Sequence, residues 1–342
     1  MQKQNKELKK LIERSQNILI LTHKGPDFDG FCSSLILKNF INTIYPKKNV
    51  VFKSRQSPTQ NLPFMNDLKI VRKIDIENED LIILMDAGSW DMCVTNEDTV
   101  QLTKAKVAII DHHDTQTDHS DVSINNNMSS TTEQVLYICK DVMGKRFNIT
   151  KEISELGQIG IVSDTGRFLY ENTKPSTYQL MSELRRVYEL DLEDFTYKSS
   201  KFPPETLLPL TLFIKNLTIQ DDMSITFITK KQIEENHLEK AGVNSAQAHM
   251  RDNIIRHIQG VHWGFIVKPS YTAENEWQVS FRSTKGYQKV DKIAESLGGG
   301  GHEYASAAKL FADDGDIAVK TILEKISSLK TTPSPSSPLP TV

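Results

Sequence analysis

The stretch that most constrains this chain is residues 105–115, AKVAIIDHHDT, where the apolar run 107–110 ends abruptly in Asp111-His112-His113. Four consecutive apolar residues rich in Val and Ile predict a buried strand of a parallel sheet. The polar triplet then falls at the strand's carboxyl end, where open α/β sheets place their ligands. An acid and two imidazoles at that position suit a metal or phosphate site, since imidazole is the commonest metal ligand. A surface turn carrying two histidines has the same local sequence, so other strand ends must decide.

The pattern recurs. Residues 17–21 (NILIL) form a second apolar run, followed by THKGPDFDG, which holds His23, Asp27 and Asp29, and then by helical periodicity over 31–40. The Gly-Pro turn can fold His23 and Asp27 toward one point and leave Asp29 facing another. Capping of the helix employs only one of the two acids, leaving His23 and the other acid unexplained. Residues 81–85 (LIILM) end in Asp86, an acid that is costly to bury unless paired or bound to metal. Strands are also expected at 50–53 and 69–74, and helices at 3–16, 129–142, 153–162 and 178–188, the last capped by Ser176 or Thr177. Asp164 closes the apolar stretch at 153–162 as Asp86 closes its own. Trp90, Cys93, His119, His257 and His262 read as packing or surface residues.

Residues 190–209 mix acids and lysines with Pro203, Pro204 and Pro209, the composition of a connector. Beyond it come expected strands at 224–229, 262–268 and 277–282 and a helix over 289–297. The glycine run 298–301 ends in His302 and is read as opening a helix over 305–311. Glycines at a helix N-terminus let backbone N–H groups approach an anion. The tail TTPSPSSPLPTV has the composition of a disordered segment.

The expected fold class is therefore α/β, with an N-terminal domain built on a mainly parallel sheet flanked by helices. A smaller C-terminal α/β domain with a mixed sheet is expected to face it across a cleft. The expected boundaries are 1–198 for the first domain, 199–217 for a linker, 218–328 for the second domain and 329–342 for the tail. A length of 342 residues accommodates both cores. The net charge of −3 gives no basic field to recruit nucleic acid. No Lys/Arg stripe of the kind a processive nuclease needs is present. Cys32, Cys93 and Cys139 are scattered and lack CxxC spacing, which argues against a disulfide framework or zinc knot. With neither a membrane-length apolar run nor a secretory h-region, a cytoplasmic protein is expected.

Collected together, His23, Asp27, Asp29, Asp86, His112 and Asp164 provide four carboxylates and two imidazoles. That donor set matches two octahedral divalent ions and favours Mn²⁺ over Mg²⁺, with no thiol to select zinc. Without cations the clustered carboxylates would repel. Two ions ~3.5–4 Å apart suit hydrolysis of phosphoesters.

These motifs resemble those of the DHH phosphoesterases with a C-terminal DHHA1 domain. The matching residues are His23 with Pro26-Asp27-Phe28-Asp29 and Ser33-Ser34, then Met85-Asp86, Asp111-His112-His113 and Ser163-Asp164-Thr165-Gly166. Arg282-Ser283 and Gly299-Gly300-Gly301-His302 resemble the DHHA1 signature. Compact size resembles the oligoribonuclease and pAp-phosphatase branch. The resemblance implies His23 and Asp27 on one ion, Asp29, His112 and Asp164 on the other, and Asp86 bridging. It implies His113 as the contact to the scissile phosphate and acid to the leaving oxygen, with Asp111 orienting the histidines. It further implies that Arg282, Ser283, Gly299, Gly300, Gly301 and His302 bind substrate. The implied activity is Mn²⁺-dependent hydrolysis of short 5′-phosphorylated oligoribonucleotides to mononucleotides, with pAp as a second substrate and no long nucleic acid or membrane held. A homodimer is left open. A cyclic-dinucleotide phosphodiesterase acting on c-di-AMP or pApA is the alternative within the class. A non-catalytic nucleotide-binding protein is the alternative outside it, although no candidate ligand is missing. Cys32 and Ala307 stand where relatives often carry Gly, and Ala307 is expected to reshape the nucleotide pocket.

Overall fold

The computed structural model describes residues 3–57, 65–74, 76, 78–95, 104–113, 119–143 and 147–330. The tail expected to be disordered lies almost wholly outside these residues. The chain divides into two compact units, Met1–Ser200 and Lys201–Val342.

In the first unit the elements run α1 Lys3–Arg14, β1 Asn17–Thr22, α2 Phe28–Ile44, β2 Asn49–Ser54, β3 Lys69–Ile70, β4 Leu81–Met85, α3 Trp90–Cys93, β5 Lys106–Ile110, β6 Val122–Ile124, α4 Thr131–Met143, α5 Lys151–Asp164, α6 Pro175–Val187 and α7 Leu192–Ser199. The strands form one six-stranded sheet in the order β3-β2-β1-β4-β5-β6, with every pair parallel. Both faces are covered, which is why the strands read as unbroken apolar runs. Ile18, Ile20, Leu81, Ile83 and Met85 pack with α2, α4 and α5 on one face. Leu19, Leu21, Ile82, Leu84 and Ile109 pack with Ile74, Cys93 and Val94 on the other. The strand order reverses at β1/β4, the switch point where such sheets leave a crevice.

Two expectations need correction. The strand expected over 69–74 shrinks to Lys69–Ile70. Helix α2 starts at Phe28 rather than at residue 31, because the Asp27 carboxylate caps it, accepting from the Gly30 N–H at 3.0 Å.

The second unit contains α8 Leu207–Lys215, β7 Thr218–Gln220, β8 Met223–Phe227, α9 Lys230–Glu235, α10 Lys240–Asn253, β9 Trp263–Pro269, β10 Glu276–Ser283, α11 Asp291–Ser296, β11 Gly300–His302, β12 Ala305–Phe311 and α12 Gly315–Lys330. Its sheet has the order β11-β12-β10-β9-β8-β7 and is mixed, with β8/β9 parallel and the other pairs antiparallel. Trp277, Val279 and Phe281 pack with α11 and α12 on one face. Ile266 packs with Phe213 of α8 and Val243 of α10 on the other. The segment expected as a linker, 199–217, is thus largely helix, and Phe213 is fully buried in this second core.

The glycine run does not open a helix. Residues 305–311 are a strand, paired with β10 from Arg282↔Ala305 to Glu276↔Phe311. Alanine's helical preference is a weak local prior that seven long-range pairs override. Ser306 and Ala308 turn inward while their neighbours do not, the alternation of a strand. The glycines instead let β11 lie close to β12. A Cβ at Gly301, whose φ is +139°, would stand 2.6 Å from the Ser306 Cα, and one at Gly299 would strike the Ala307 carbonyl.

Candidate metal centre

Register explains how the polar residues meet. Thr22 pairs with Met85, and Met85 with Ile110, so His23, Asp86 and Asp111 leave three adjacent strands at one edge. Asp86 turns there through a left-handed backbone, φ +56°, a conformation uncommon for a non-glycine residue and concentrated at functional sites. Behind it Gly30 leaves no space for a side chain. A Cβ would stand 2.6 Å from Thr22 Oγ1 and 3.2 Å from both Asp86 Oδ2 and His23 Nε2. Two acids reach the edge from helices rather than from strand ends. Asp29 sits in the first turn of α2, and Asp164 is the last residue of α5.

His23 Nε2 lies 3.7 Å from both Asp27 Oδ1 and Asp86 Oδ2. His112 Nε2 lies 3.2 Å from Asp164 Oδ2 and 3.9 Å from Asp86 Oδ1. The two Asp86 oxygens therefore face different histidines. Donor atoms of His23, Asp27 and Asp86 gather within 4.8 Å of one another, as do those of Asp29, His112 and Asp164, and those of Asp86, His112 and His113. His112 Nε2 and Asp164 Oδ2 are buried without a hydrogen bond among the described residues. Buried polar atoms are rarely left so, and a divalent cation satisfies both. His113 turns its Nδ1 to Asp111 Oδ1 at 2.8 Å, and its backbone N–H donates to the same oxygen.

The electrostatics agree with a cation site. Burial, then the neighbouring Asp86 and Asp27 charges, push Asp164 up to about 7. Burial and Asp27 push Asp86 up to about 6, against the pull of His113 and His23. Asp29, fully buried beside Asp86 and Asp164, is held well above the carboxylate range. Burial, then His113, lowers His112 to about 4, which keeps its imidazole neutral as a ligand must be. His113 moves the other way, to about 9, because its Asp111 hydrogen bond outweighs burial. Clustered carboxylates forced toward protonation are what bound cations relieve.

The remaining expected site residues lie in the second unit. Ala305 pairs with Arg282 on one side and His302 on the other, so both flank one residue at the same end of the sheet. Arg282 is half-buried and lowered to about 10, by burial and then by Arg251, while its Nη1 donates to the Phe281 carbonyl at 2.8 Å. Gly300, Gly301 and His302 are exposed. Ser283 is fully buried, its hydroxyl donating to the Thr284 carbonyl at 3.3 Å.

Residues 17–161 match the model of the DHH family, N-terminal domain. That segment is a DHH-family N-terminal domain, and it carries the Asp/His cluster of a metal-dependent phosphoesterase. It is similar to the bifunctional oligoribonuclease and PAP phosphatase NrnA of Bacillus subtilis strain 168, with 27% identity over 313 residues, covering 90% of this chain and 94% of the relative. It is also similar to the probable bifunctional oligoribonuclease and PAP phosphatase NrnA of Streptococcus mutans, 25% identical over 309 residues with the same coverage. An exopolyphosphatase-related protein from Bacteroides fragilis has the same fold, with a TM-score of 0.82 and 23% identity over 96% of this chain and 97% of that one.

The DHH-family domain also uses residues that sequence reasoning passed over. Backbone N–H groups of Thr131 and Thr132, at the start of α4, donate to the two Asp29 oxygens at 2.7 and 2.8 Å. Thr131 Oγ1 donates to Asp86 Oδ1 at 2.8 Å. Glu133, fully buried, holds this helix start in place by accepting from the Ser129 N–H and from the hydroxyls of Ser129, Ser176 and Thr177. Gln134 donates to the carbonyls of Asp111 and Ile124. The only local signal was SSTTEQ, hydroxyls and an acid at a helix start, which reads as ordinary capping.

Proposed function

We propose that this phosphoesterase is a Mn²⁺-dependent enzyme that hydrolyses short 5′-phosphorylated oligoribonucleotides to mononucleotides, and pAp to AMP. The observation that carries the reading is Asp86, whose two oxygens face the histidines of two separate donor groups. His23 and Asp27 would hold one ion, Asp29, His112 and Asp164 the other, with Asp86 offering one oxygen toward each group. Divalent ions held there would supply an activated water and neutralise phosphoryl charge. His113 is protonated at neutral pH through its bond to Asp111 and delivers that proton to the leaving oxygen. Asp111 engages the Nδ1 proton, which leaves the Nε2 proton as the one delivered. In the second unit, Arg282 clamps a substrate phosphate, supported by His302 and the exposed Gly300–Gly301 segment, whereas the Gly299 N–H is taken by the Ala294 carbonyl at 2.8 Å. Half-buried Arg282, crowded by Arg251 and Arg256, suits an anion. The substrate class is supported by the names of relatives matched over 94% of their length.

The test is Mn²⁺-dependent turnover of pApA, a 5′-phosphorylated RNA pentamer, pAp, cyclic di-AMP and a long single strand, resolved by nucleotide chromatography. Fast cleavage of pApA and slow cleavage of the cyclic dinucleotide is the expected result. Preference for cyclic di-AMP transfers the site to second-messenger breakdown. Mn²⁺ binding without turnover of any member would revive the reading of a non-catalytic nucleotide-binding protein.

A further inference from the structure

The turn that follows Asp164 is built at a cost that the metal site does not require. Gly166, Arg167 and Phe168 have φ values of +54°, +62° and +68°, three left-handed residues in succession. Left-handed backbone costs a side-chain-bearing residue roughly 1–2 kcal/mol, and such strain persists only where the surroundings enforce it. Here Thr165 enforces it. Its hydroxyl accepts the Phe168 N–H at 3.0 Å, and its carbonyl accepts the N–H groups of both Leu169 and Tyr170. The Tyr170 ring lies flush on Gly166, where a Cβ would stand 2.5 Å from it. The Phe168 ring packs against Tyr178 at 5.4 Å.

The turn presents a specific set of groups beside the metal ligands. Arg167 is exposed and makes no side-chain hydrogen bond or ion pair among the described residues. Tyr170 is 59% exposed, Tyr178 54% and Leu169 79%, an apolar surface of the kind that marks a binding site. Arg167 and Tyr170 line a pocket with Phe28 and Phe195, which meet edge to face at 5.2 Å, and with Ser163 and Ser199. Phe28 directly follows Asp27, and Ser163 directly precedes Asp164, so the pocket wall continues into both donor groups.

We infer that this pocket binds the nucleobase of the nucleotide whose phosphate lies at the proposed cation site beside Asp27 and Asp164. The Arg167 guanidinium and the Tyr170 ring would form its stacking surface. The inference rests on the proposed nucleotide substrate and adds where the base is held. A planar guanidinium stacks on π-faces while its N–H groups stay free for base edges, whereas an ammonium hydrogen-bonds but has no plane to stack. Flat stacking surfaces accept any base, so the pocket favours a base without selecting among bases.

Titration calorimetry of the Mn²⁺-loaded protein with AMP and with ribose 5-phosphate isolates the base, because the two ligands differ only there. The wild type is expected to bind AMP about tenfold more tightly or better, the scale of one base stack. In Arg167→Ala, Arg167→Lys and Tyr170→Ala that ratio falls toward one. On pApA the same variants raise KM about tenfold and leave kcat within about twofold, the signature of lost uniform binding. A wild-type ratio near one, or a ratio that the variants leave unchanged, overturns the assignment. If the wild type leaves pApA intact, the substrate proposal fails, and the AMP ratio still decides the pocket.

Discussion

The carboxyl edge of the first sheet and the β10–β12 end of the second handle charge in opposite ways. The first concentrates buried carboxylates until Asp29, Asp86 and Asp164 are driven toward protonation. The second gathers Arg251, Arg256 and Arg282, with Arg282 lowered to about 10 by burial and its neighbour Arg251. In the proposed function, cations balance the one and a substrate phosphate the other. Their supports differ too. The anionic edge is braced by buried hydrogen bonds from α4, whereas the cationic end relies on glycines that bring two strands together. A preorganised buried site holds its geometry without ligand; an open one is completed by it.

The largest effect separating the two should come from Asp86→Asn. Asn adopts left-handed backbone readily, so the fold persists while a negative ligand is lost. Turnover on pApA should drop on the order of 10³-fold, and calorimetry should show weakened Mn²⁺ binding. Arg282→Ala should do the reverse. KM should rise about 10- to 100-fold, the scale of a lost bond to a charged group of about 1.5–3 kcal/mol, with Mn²⁺ affinity unchanged. Weakened metal binding in that variant would break the division of labour.

Thr131→Val removes the hydroxyl on Asp86 and should lower Mn²⁺ affinity about 10- to 100-fold, as loss of a ligand's supporting bond does. At saturating Mn²⁺ much of the activity should return. Unaltered affinity would show that the α4 contact is only packing.

Chelation adds a pH signature to the anionic edge alone. His113 binds its proton more tightly folded, at about 9 against 6.5 unfolded, so its stabilisation is complete below 6.5 and is lost as pH rises through 9. Asp164, raised to about 7, loses its proton over the lower part of that window with the same sign. His112, lowered to about 4, has the opposite sign but titrates below 6.5. Thermal melts of chelated protein should therefore show Tm falling from pH 6.5 to 9. Mn²⁺ should flatten the slope.

The smallest effect tests the cationic end as a hairpin. Gly299→Ala should cost about 1–3 kcal/mol, because its Cβ strikes the Ala307 carbonyl. Gly300→Ala, with nothing within 4 Å, should stay within about 0.5 kcal/mol in denaturant melts. Equal effects at both positions would contradict the β11–β12 pairing.

Much of the first unit was legible in one dimension. Apolar runs ending in His23, Asp86 and Asp111-His112 imply buried parallel strands, and parallel strands deliver their carboxyl ends to one edge. The sequence alone therefore determined the α/β class and the residue types of the cluster. The tertiary structure decided what those residues do locally. It made Asp27 a cap facing His23, set Asp29 under the N-terminus of α4, and gave Asp164 to a helix end. It buried Glu133 among hydroxyls from α6, 43 and 44 residues away. It drew 305–311 into a strand through pairing with β10, although alanine locally favours a helix. It also turned Arg167 outward through three left-handed residues held by Thr165. Hydrophobic periodicity is written along the chain, whereas pairing register and buried hydrogen bonds join residues far apart in sequence and come into being only when the fold closes.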